Sequence, residues 1–143
     1  NFSSEHGMAN SRARLRMTTL YQVAAANNGL VVGTGNKVED FGVGFYTKYG
    51  DGGVDISPIA DCNKTEVWEL GRELGILKEI IDAPPTDGLW DDGRTDEGQL
   101  GFKYQDLEDA MKNPNSPHRQ EYENIRKQNL HKMEPIPVCK IPS

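Results

Sequence analysis

Cysteine is scarce in this chain of 143 residues, which carries only Cys62 and Cys139. The two cysteines match no metal-binding spacing and make a poor disulfide framework, so a reducing compartment is the simpler expectation. No window approaches the roughly 18 consecutive apolar residues of a membrane-spanning helix. No basic-then-apolar leader opens the chain, so secretion is not expected. These absences exclude disulfide miniproteins and zinc modules and favour a globular, cytoplasmic protein that does not bind membranes.

Positive charge is also in short supply, with 16 Lys and Arg against 22 Asp and Glu and a net charge of −6. Residues 1–35 hold three arginines and one glutamate, and residues 110–143 hold six basic and three acidic residues. The middle, residues 36–109, holds 7 basic and 18 acidic residues. An acidic middle argues against a nucleic-acid track, whereas basic ends suit a small anionic ligand.

Hydrophobic spacing predicts the secondary structure. We expect a helix over residues 9–28, ended by an Asn-Asn-Gly sequence, and then a short buried strand over residues 30–34. A second helix should begin near Asn63 with a capping glutamate at position 66 and an apolar stripe at Val67, Leu70 and Leu74. Two more helices are predicted over residues 104–111 and from about 116 to 132. A helix, a glycine turn and a buried strand predict an α/β fold, as part of a doubly wound, mostly parallel sheet.

Two glycine-rich stretches could bind a ligand. Gly33-Thr34-Gly35 follows the predicted strand and precedes Glu39, where a hydroxyl, backbone N–H groups and a carboxylate could hold a nucleotide and Mg²⁺. A tight strand-exit turn is the simpler interpretation of this stretch. Residues 47–55 are more specific, because their turn chemistry is flanked by a cation, Lys48, and an acceptor, Asp55. A plain hairpin turn remains open there as the alternative.

Alternating arginines occupy positions 12, 14 and 16 of the first predicted helix. Every second residue of a helix points about 200° away from its predecessor, so the three do not share one face. A solvated helix surface is the favoured interpretation, with an arginine that binds a phosphate or a carboxylate as the alternative.

These motifs, in this order, resemble the NAD synthetases, an ATP pyrophosphatase family. The resemblance covers about residues 10–111 plus His131-Lys132, and the Thr-Lys-Tyr-Gly-Asp-Gly-Gly run at residues 47–53 is its most specific part. Further matching pieces are Ala-Arg-Leu-Arg-Met at 13–17, Asn-Lys at 63–64, Pro-Thr at 85–86 and the stretch from Leu89 to Tyr104.

The resemblance implies a ligase that makes NAD in two steps. ATP adenylates the nicotinate carboxylate of deamido-NAD with release of pyrophosphate, and ammonia then displaces AMP. It implies a homodimer with an adenine-nucleotide type of sheet, and it assigns no catalytic residue. By matching position, the residues it implies for deamido-NAD are Arg14, Lys48, Asp55, His131 and Lys132. Those it implies for ATP are Thr34, Lys64 and Thr86, with Glu39 for Mg²⁺.

One family motif, a Ser-Gly-Gly-x-Asp-Ser pyrophosphate loop, does not occur in these residues. The expectation is therefore that residues 1–143 form the C-terminal portion of a single NAD synthetase domain and are inactive alone. A non-catalytic nucleotide-binding or dimerisation fragment is one alternative. Another amidating ATP pyrophosphatase is the second, and the loop at 47–55 argues against it, because that loop belongs to the nicotinate side.

Overall fold

The computed structural model describes residues 4–141. Across these residues the chain forms six α-helices and one π-helical segment, Val38–Val43, which we call the π segment. The helices are α1 (Glu5–Ala26), α2 (Lys64–Glu73), α3 (Lys78–Ile81), α4 (Asp96–Leu100), α5 (Tyr104–Lys112) and α6 (Arg119–Met133). Residues 134–141 follow α6 without regular structure.

The first helix agrees with the sequence prediction and begins four residues earlier. Its N-cap is Ser4, whose hydroxyl accepts a hydrogen bond from the N–H of Gly7 at 3.2 Å. Small residues, Ala9 and Ala13, are its buried side chains, so other segments approach the helix closely. In the described part of the chain, none of the helices is long and apolar enough to cross a membrane.

The predicted sheet is wrong for residues 4–141, which form no sheet. Extended pairing there is limited to one parallel bridge between Val32 and Ile56, beside a 2.7 Å hydrogen bond from the N–H of Gly33 to the carbonyl of Ile56. The predicted buried strand at 30–34 is therefore wrong as well, and Val32 is 52% exposed. The physical reason is that an apolar run becomes a strand only where a ladder of partners runs beside it, and this run meets one short segment.

The core lies where α5 and α6 pack against the π segment. Its buried side chains are Val38, Val43, Tyr104, Leu107, Ala110 and Tyr122. Gly44 ends the π segment with φ +67°, and a Cβ there would lie 2.6 Å from the Cβ of Asn129 on α6. Both the backbone angle and the close approach require glycine at this position.

The second helix starts as predicted, but its apolar stripe is not buried. The side chain of Glu66 accepts a hydrogen bond from the N–H of Asn63 at 2.6 Å, which is the predicted capping contact. None of the residues of α2 is buried, and Leu74 is 69% exposed, so the predicted buried stripe is wrong. Leu70, Leu74, Leu77, which is the N-cap of α3, and Ile80 in α3 remain exposed within the described residues.

Candidate nucleotide site

Two adjoining cavities lie beside α1. The first, the Glu39 cavity, has a volume of about 390 Å³, and the second, the Lys48 cavity, has a volume of about 360 Å³. Both fall within the range of small-molecule sites in proteins. Four residues line both cavities and form their common wall, namely Phe45, Asp51, Asp87 and Leu89. The two cavities therefore adjoin each other, with these four residues between them.

The Glu39 cavity has a carboxylate and a cation in contact at its edge. One Glu39 oxygen accepts hydrogen bonds from the Tyr104 hydroxyl at 2.5 Å and from Lys64 Nζ at 3.2 Å. The other oxygen accepts from the N–H of Asn36 at 3.3 Å. The side chains of Glu39 and Lys64 are only 14% and 19% exposed, so the pair is held in a fixed position.

A second carboxylate, Asp96, lies behind Glu39 at the start of α4. Its Oδ2 accepts a hydrogen bond from the Tyr104 hydroxyl at 3.4 Å, and its buried Oδ1 has no hydrogen-bond partner in the described residues. Burial, followed by the charges of Glu39 and Asp87, raises the pKa of Asp96 to about 6. Burial is also the main cause that raises the pKa of Tyr104, so the hydroxyl remains a donor.

The raised pKa of Asp96 gives a prediction for stability. An aspartate with a folded pKa of about 6 binds more protons in the folded state than in the unfolded state between about pH 4 and 6. Its contribution therefore lowers the free energy of unfolding as the pH rises through this window. We expect Asp96→Asn to raise the free energy of unfolding at pH 7.5 by about 1–2 kcal/mol and to change it little at pH 4.

Urea unfolding at the two pH values measures this effect. Each variant is made in the full-length protein, meaning the product of the complete reading frame that encodes this chain. Asp109→Asn is the matched control, because Asp109 is exposed on α5. An equal effect of Asp96→Asn at both pH values would contradict the prediction.

Positive groups line the Lys48 cavity, and their partners are backbone carbonyls. Arg14 Nε donates to the carbonyl of Lys48 at 3.2 Å, and Lys48 Nζ donates to the carbonyl of His131 at 2.6 Å. Lys132 Nζ donates to the carbonyls of Gly44 and Tyr46 at 2.9 and 2.8 Å. Among the described residues, these three cations form no ion pair with a carboxylate.

Carbonyl partners orient these cations and leave their charge in place. Burial lowers the pKa of Lys132, and Asp51 on the common wall opposes that change. Burial is likewise the main cause that raises the pKa of Asp51. The balance in the Lys48 cavity is therefore positive, as a site for a phosphate or a carboxylate requires.

The structure separates the sequence-predicted site residues into three groups. Thr34, Glu39, Lys64 and Thr86 line the Glu39 cavity. Arg14, Lys48, His131 and Lys132 line the Lys48 cavity. Asp55 lines neither: its carboxylate accepts from the N–H of Val31 at 2.8 Å and from the hydroxyl of Tyr21 at 3.3 Å, and so ties two segments together.

The three alternating arginines of α1 each hold a loop. Arg12 donates to the carbonyl of Leu89 at 2.6 Å, and Arg16 donates to the carbonyls of Asp87 and Gly88 at 3.1 and 2.8 Å. Arg12 and Arg16 are four residues apart and so lie on one face of α1. Both bind the start of residues 87–94, which we call the Trp90 loop. Arg14 holds the loop of Lys48 instead. All three arginines are exposed, as the solvated-surface interpretation expects, and their guanidinium groups also bind backbone carbonyls.

Several residues that shape the site were given no role by the sequence, although three of them lie in the matching stretch from Leu89 to Tyr104. Tyr104 donates to Glu39 and to Asp96, while Asp87 and Trp90 line the Lys48 cavity. Tyr104 is spaced like an ordinary core aromatic, and only its placement opposite Glu39 distinguishes it. The charge and glycine content of residues 87–98 gives no indication that Arg12 and Arg16 bind the backbone of part of that stretch.

The carboxylate of Glu39 has the chemistry of a magnesium ligand. Carboxylate oxygens are hard ligands of the kind Mg²⁺ prefers, and Mg²⁺ in nucleotide sites takes its remaining ligands from phosphates and water. In the described residues there is no group of three or more His, Cys, Asp or Glu side chains that could hold a metal by itself. Glu39 therefore fits one position on a nucleotide-bound Mg²⁺.

The chain is similar in sequence to known proteins. A family model described as NAD synthase matches residues 2–141. The NH(3)-dependent NAD(+) synthetase of Alkaliphilus oremlandii is 44% identical over 144 residues, covering 99% of this chain and 57% of the relative. The protein of the same name from Carboxydothermus hydrogenoformans is 54% identical over 101 residues, covering 71% of this chain and 41% of the relative.

Solved structures are similar as well. An NMN synthetase from Francisella tularensis gives a TM-score of 0.88 at 33% identity, over 97% of this chain and 58% of that chain. The NH3-dependent NAD synthetase from Campylobacter jejuni, in complex with the nitrate ion, gives a TM-score of 0.65 at 27% identity, over 92% of this chain and 54% of that chain. The chain spans about half the length of the curated relatives that it matches. Its sequence places it in the NAD synthase family.

Proposed function

We propose that the full-length protein is a ligase that makes NAD by amidating deamido-NAD. ATP adenylates the nicotinate carboxylate and releases pyrophosphate, and ammonia then attacks the acyl carbon and displaces AMP. The observation that carries this proposal is the common wall between two cavities of different chemistry. One cavity offers oxygen and cation groups for a magnesium-bound phosphate, and the other offers cations with no carboxylate partner among the described residues.

ATP is assigned to the Glu39 cavity. Thr34 and Thr86 supply hydroxyls, and Lys64 supplies a positive charge for the phosphates. Glu39 would hold Mg²⁺, which supplies charge neutralisation when a carboxylate approaches a triphosphate. Tyr104 keeps the Glu39 carboxylate in place from the buried side.

Deamido-NAD is assigned to the Lys48 cavity. Arg14, Lys48 and Lys132, with His131 at the end of α6, neutralise its phosphates and carboxylate. The nicotinate carboxylate and the α-phosphate of ATP must come together, so the reacting atoms belong beside the common wall. Holding both reactants in adjoining cavities removes much of the entropy cost of bringing them together.

Ammonia is the proposed nitrogen donor, in keeping with the names of the relatives. We further propose that residues 1–143 are the C-terminal portion of the synthetase domain and do not make NAD alone. The relatives are about twice as long as the part that matches, and the family's pyrophosphate loop does not occur in these residues. ATP-dependent amide formation by the isolated 143-residue chain would contradict this part of the proposal.

A second candidate function is amidation of the mononucleotide of nicotinic acid to NMN. The observation behind it is the similarity to a structure named NMN synthetase, with a TM-score of 0.88 at 33% identity. Both candidates share the ATP chemistry and differ only in the length of the acid substrate.

A coupled assay tests both candidates. The full-length protein is incubated with ATP, Mg²⁺ and ammonium and with either deamido-NAD or the mononucleotide acid, and the products are measured by mass spectrometry. We expect an amide together with equal amounts of AMP and pyrophosphate. Formation of ADP and phosphate, or no amide from either acid, would contradict the proposed function.

We also propose, from the family resemblance, that the full-length protein is a cytoplasmic homodimer. Exposed apolar side chains on α1, such as Leu15 and Val23, are consistent with further packing of this helix. Light scattering at micromolar concentration should give twice the mass of one chain, and a mass of one chain would contradict the proposal.

A further inference from the structure

Helix α1 places one arginine on each of the two cavities. Arg14 lines the Lys48 cavity, and Arg16 lines the Glu39 cavity. This follows from the helix, because two residues along it correspond to a rotation of about 200°. The proposed function assigns Arg14 to deamido-NAD and gives Arg16 no ligand.

The charge of Arg16 is uncompensated in a cavity whose charged lining is mostly acidic. Two cations line the Glu39 cavity, Arg16 and Lys64, together with the carboxylates of Glu39, Asp40, Asp51 and Asp87. Lys64 forms an ion pair with Glu39 at 3.2 Å. Arg16 forms no ion pair with any carboxylate of the described residues. A triphosphate in this cavity would therefore find its least compensated described cation at Arg16.

The guanidinium of Arg16 is oriented by the backbone and keeps donors for a ligand. Its Nη1 donates to the carbonyl of Asp87 at 3.1 Å, and its Nη2 donates to the carbonyl of Gly88 at 2.8 Å. The remaining N–H groups of this planar fork have no acceptor among the described residues, and the side chain is exposed. A fixed guanidinium with free N–H groups is well suited to bind phosphate oxygens.

The position of Arg16 favours one phosphate of ATP over the others. Asp87, whose carbonyl Arg16 binds, belongs to the common wall, and the preceding residue, Thr86, is assigned to ATP. In the proposed reaction the nicotinate carboxylate attacks the α-phosphorus beside this wall, and pyrophosphate leaves with the electrons of the broken bond. The phosphate nearest the wall is therefore the α-phosphate.

We propose that Arg16 binds the α-phosphate of ATP and stabilises the negative charge that develops there during adenylation. The inference rests on the proposed function, because it needs ATP in the Glu39 cavity. A guanidinium fixed before the reaction begins can stabilise this charge without the cost of reorienting at the moment of attack.

Support of the Trp90 loop is the alternative role, and Arg12 provides the matched control. Arg12 lies on the same face of α1 and binds the carbonyl of Leu89 in the same loop at 2.6 Å. Unlike Arg16, it has a carboxylate partner, Asp91, at 3.5 Å, and it lines neither the Glu39 nor the Lys48 cavity. Arg12→Gln therefore removes an arginine that supports the loop and leaves the charged lining of both cavities unchanged.

Calorimetry on the full-length protein locates the contact with three probes, namely ATP, AMP and inorganic pyrophosphate. We expect Arg16→Gln to weaken both ATP and AMP by roughly 10- to 150-fold, the scale of one charge-assisted hydrogen bond. Pyrophosphate, which lacks the α-phosphate, should lose far less affinity. Arg16→Lys should restore part of the loss, because it keeps the charge without the planar fork. Arg12→Gln should affect ATP and AMP far less than Arg16→Gln.

Exchange of labelled pyrophosphate into ATP isolates the adenylation step. The full-length protein is incubated with deamido-NAD, ATP and labelled pyrophosphate without ammonium, so label enters ATP only when pyrophosphate reverses adenylation. We expect Arg16→Gln to lower the exchange rate at saturating ATP by about 100-fold or more, the scale of losing one donor to a developing charge. Arg12→Gln should lower it far less.

Equal losses in Arg16→Gln and Arg12→Gln would show loop support alone and overturn the inference. Unchanged affinity for AMP, or a loss confined to pyrophosphate, would also overturn it. If Arg16→Gln does not fold, Arg16→Met takes its place, with the same expected losses. A wild type that binds ATP and AMP without forming an amide would contradict the proposed function, and the AMP affinity of the variants would still decide the α-phosphate contact. A wild type that binds neither nucleotide would overturn both.

Discussion

Replacing Glu39 with glutamine is expected to lower the rate of ATP-dependent amidation by about 100-fold or more. Changing a residue that only supports a metal ligand already costs about 10- to 100-fold in activity, and Glu39 is proposed as a ligand itself. The glutamine side chain keeps the size of the glutamate and loses its charge. Lys64 and the proposed Mg²⁺ would then both lack their carboxylate, although Tyr104 could still donate to the amide oxygen. The Mg²⁺ concentration for half-maximal rate should rise, whereas the affinity for deamido-NAD should change little.

The matched control is Glu69→Gln, which removes one negative charge from an exposed position on α2. Rates are measured over a range of Mg²⁺ concentrations in the full-length protein, with thermal unfolding to verify that each variant is folded. A Glu39→Gln variant with wild-type rate and wild-type Mg²⁺ dependence would remove Glu39 from the proposed ATP site.

Replacing Lys48 with alanine is expected to weaken deamido-NAD binding by roughly 10- to 150-fold. The change removes a charge-assisted contact of about 1.5–3 kcal/mol. The ammonium group of Lys48 donates to the carbonyl of His131 and to no carboxylate among the described residues. His131 is an exposed residue, so water can take the place of the ammonium group there. The loss should therefore fall on ligand binding and much less on folding. Affinity for ATP should hardly change, because ATP is assigned to the other cavity.

Calorimetry with each ligand separately, on the full-length protein, decides the outcome. Lys127→Ala is the control, since Lys127 is exposed on α6 and lines neither cavity. Lys48→Arg should restore binding only in part, because a planar guanidinium cannot occupy the same point as an ammonium. If Lys48→Ala weakened the binding of deamido-NAD and of ATP equally, or weakened neither, the assignment of the loop at 47–55 to deamido-NAD would be wrong.

Local signals in the sequence predicted the four longer helices and missed α3, α4 and the π segment. The helix at α1, the capping contact of Glu66 and the two final helices follow from spacing and end residues within a few positions. The strand at 30–34 failed, because an apolar run between glycines shows where burial is possible and does not show whether a partner is present. The stripe of α2 failed for the same reason, since a stripe becomes buried only when another element covers it.

The site divides along a similar line. Motif positions gave most of the polar residues that the structure gathers in two cavities, and Asp55 was grouped with them by its matching position in the same family motif. Its carboxylate instead faces Val31 and Tyr21. Contacts between distant segments, such as Tyr104 with Glu39 or Arg16 with the Trp90 loop, depend on the tertiary fold and leave no local pattern.

The most direct test of the proposed reaction, adenylation of the nicotinate carboxylate followed by attack of ammonia, follows one oxygen atom. Deamido-NAD with an oxygen-18 label in its nicotinate carboxylate is incubated with ATP, Mg²⁺, ammonium and the full-length protein. Adenylation bonds a carboxylate oxygen to the α-phosphorus, and ammonia then breaks the bond between that oxygen and the acyl carbon, so the oxygen leaves with AMP. We predict one labelled oxygen in AMP for each amide formed. Unlabelled AMP, or label in inorganic phosphate accompanied by ADP, would contradict the account.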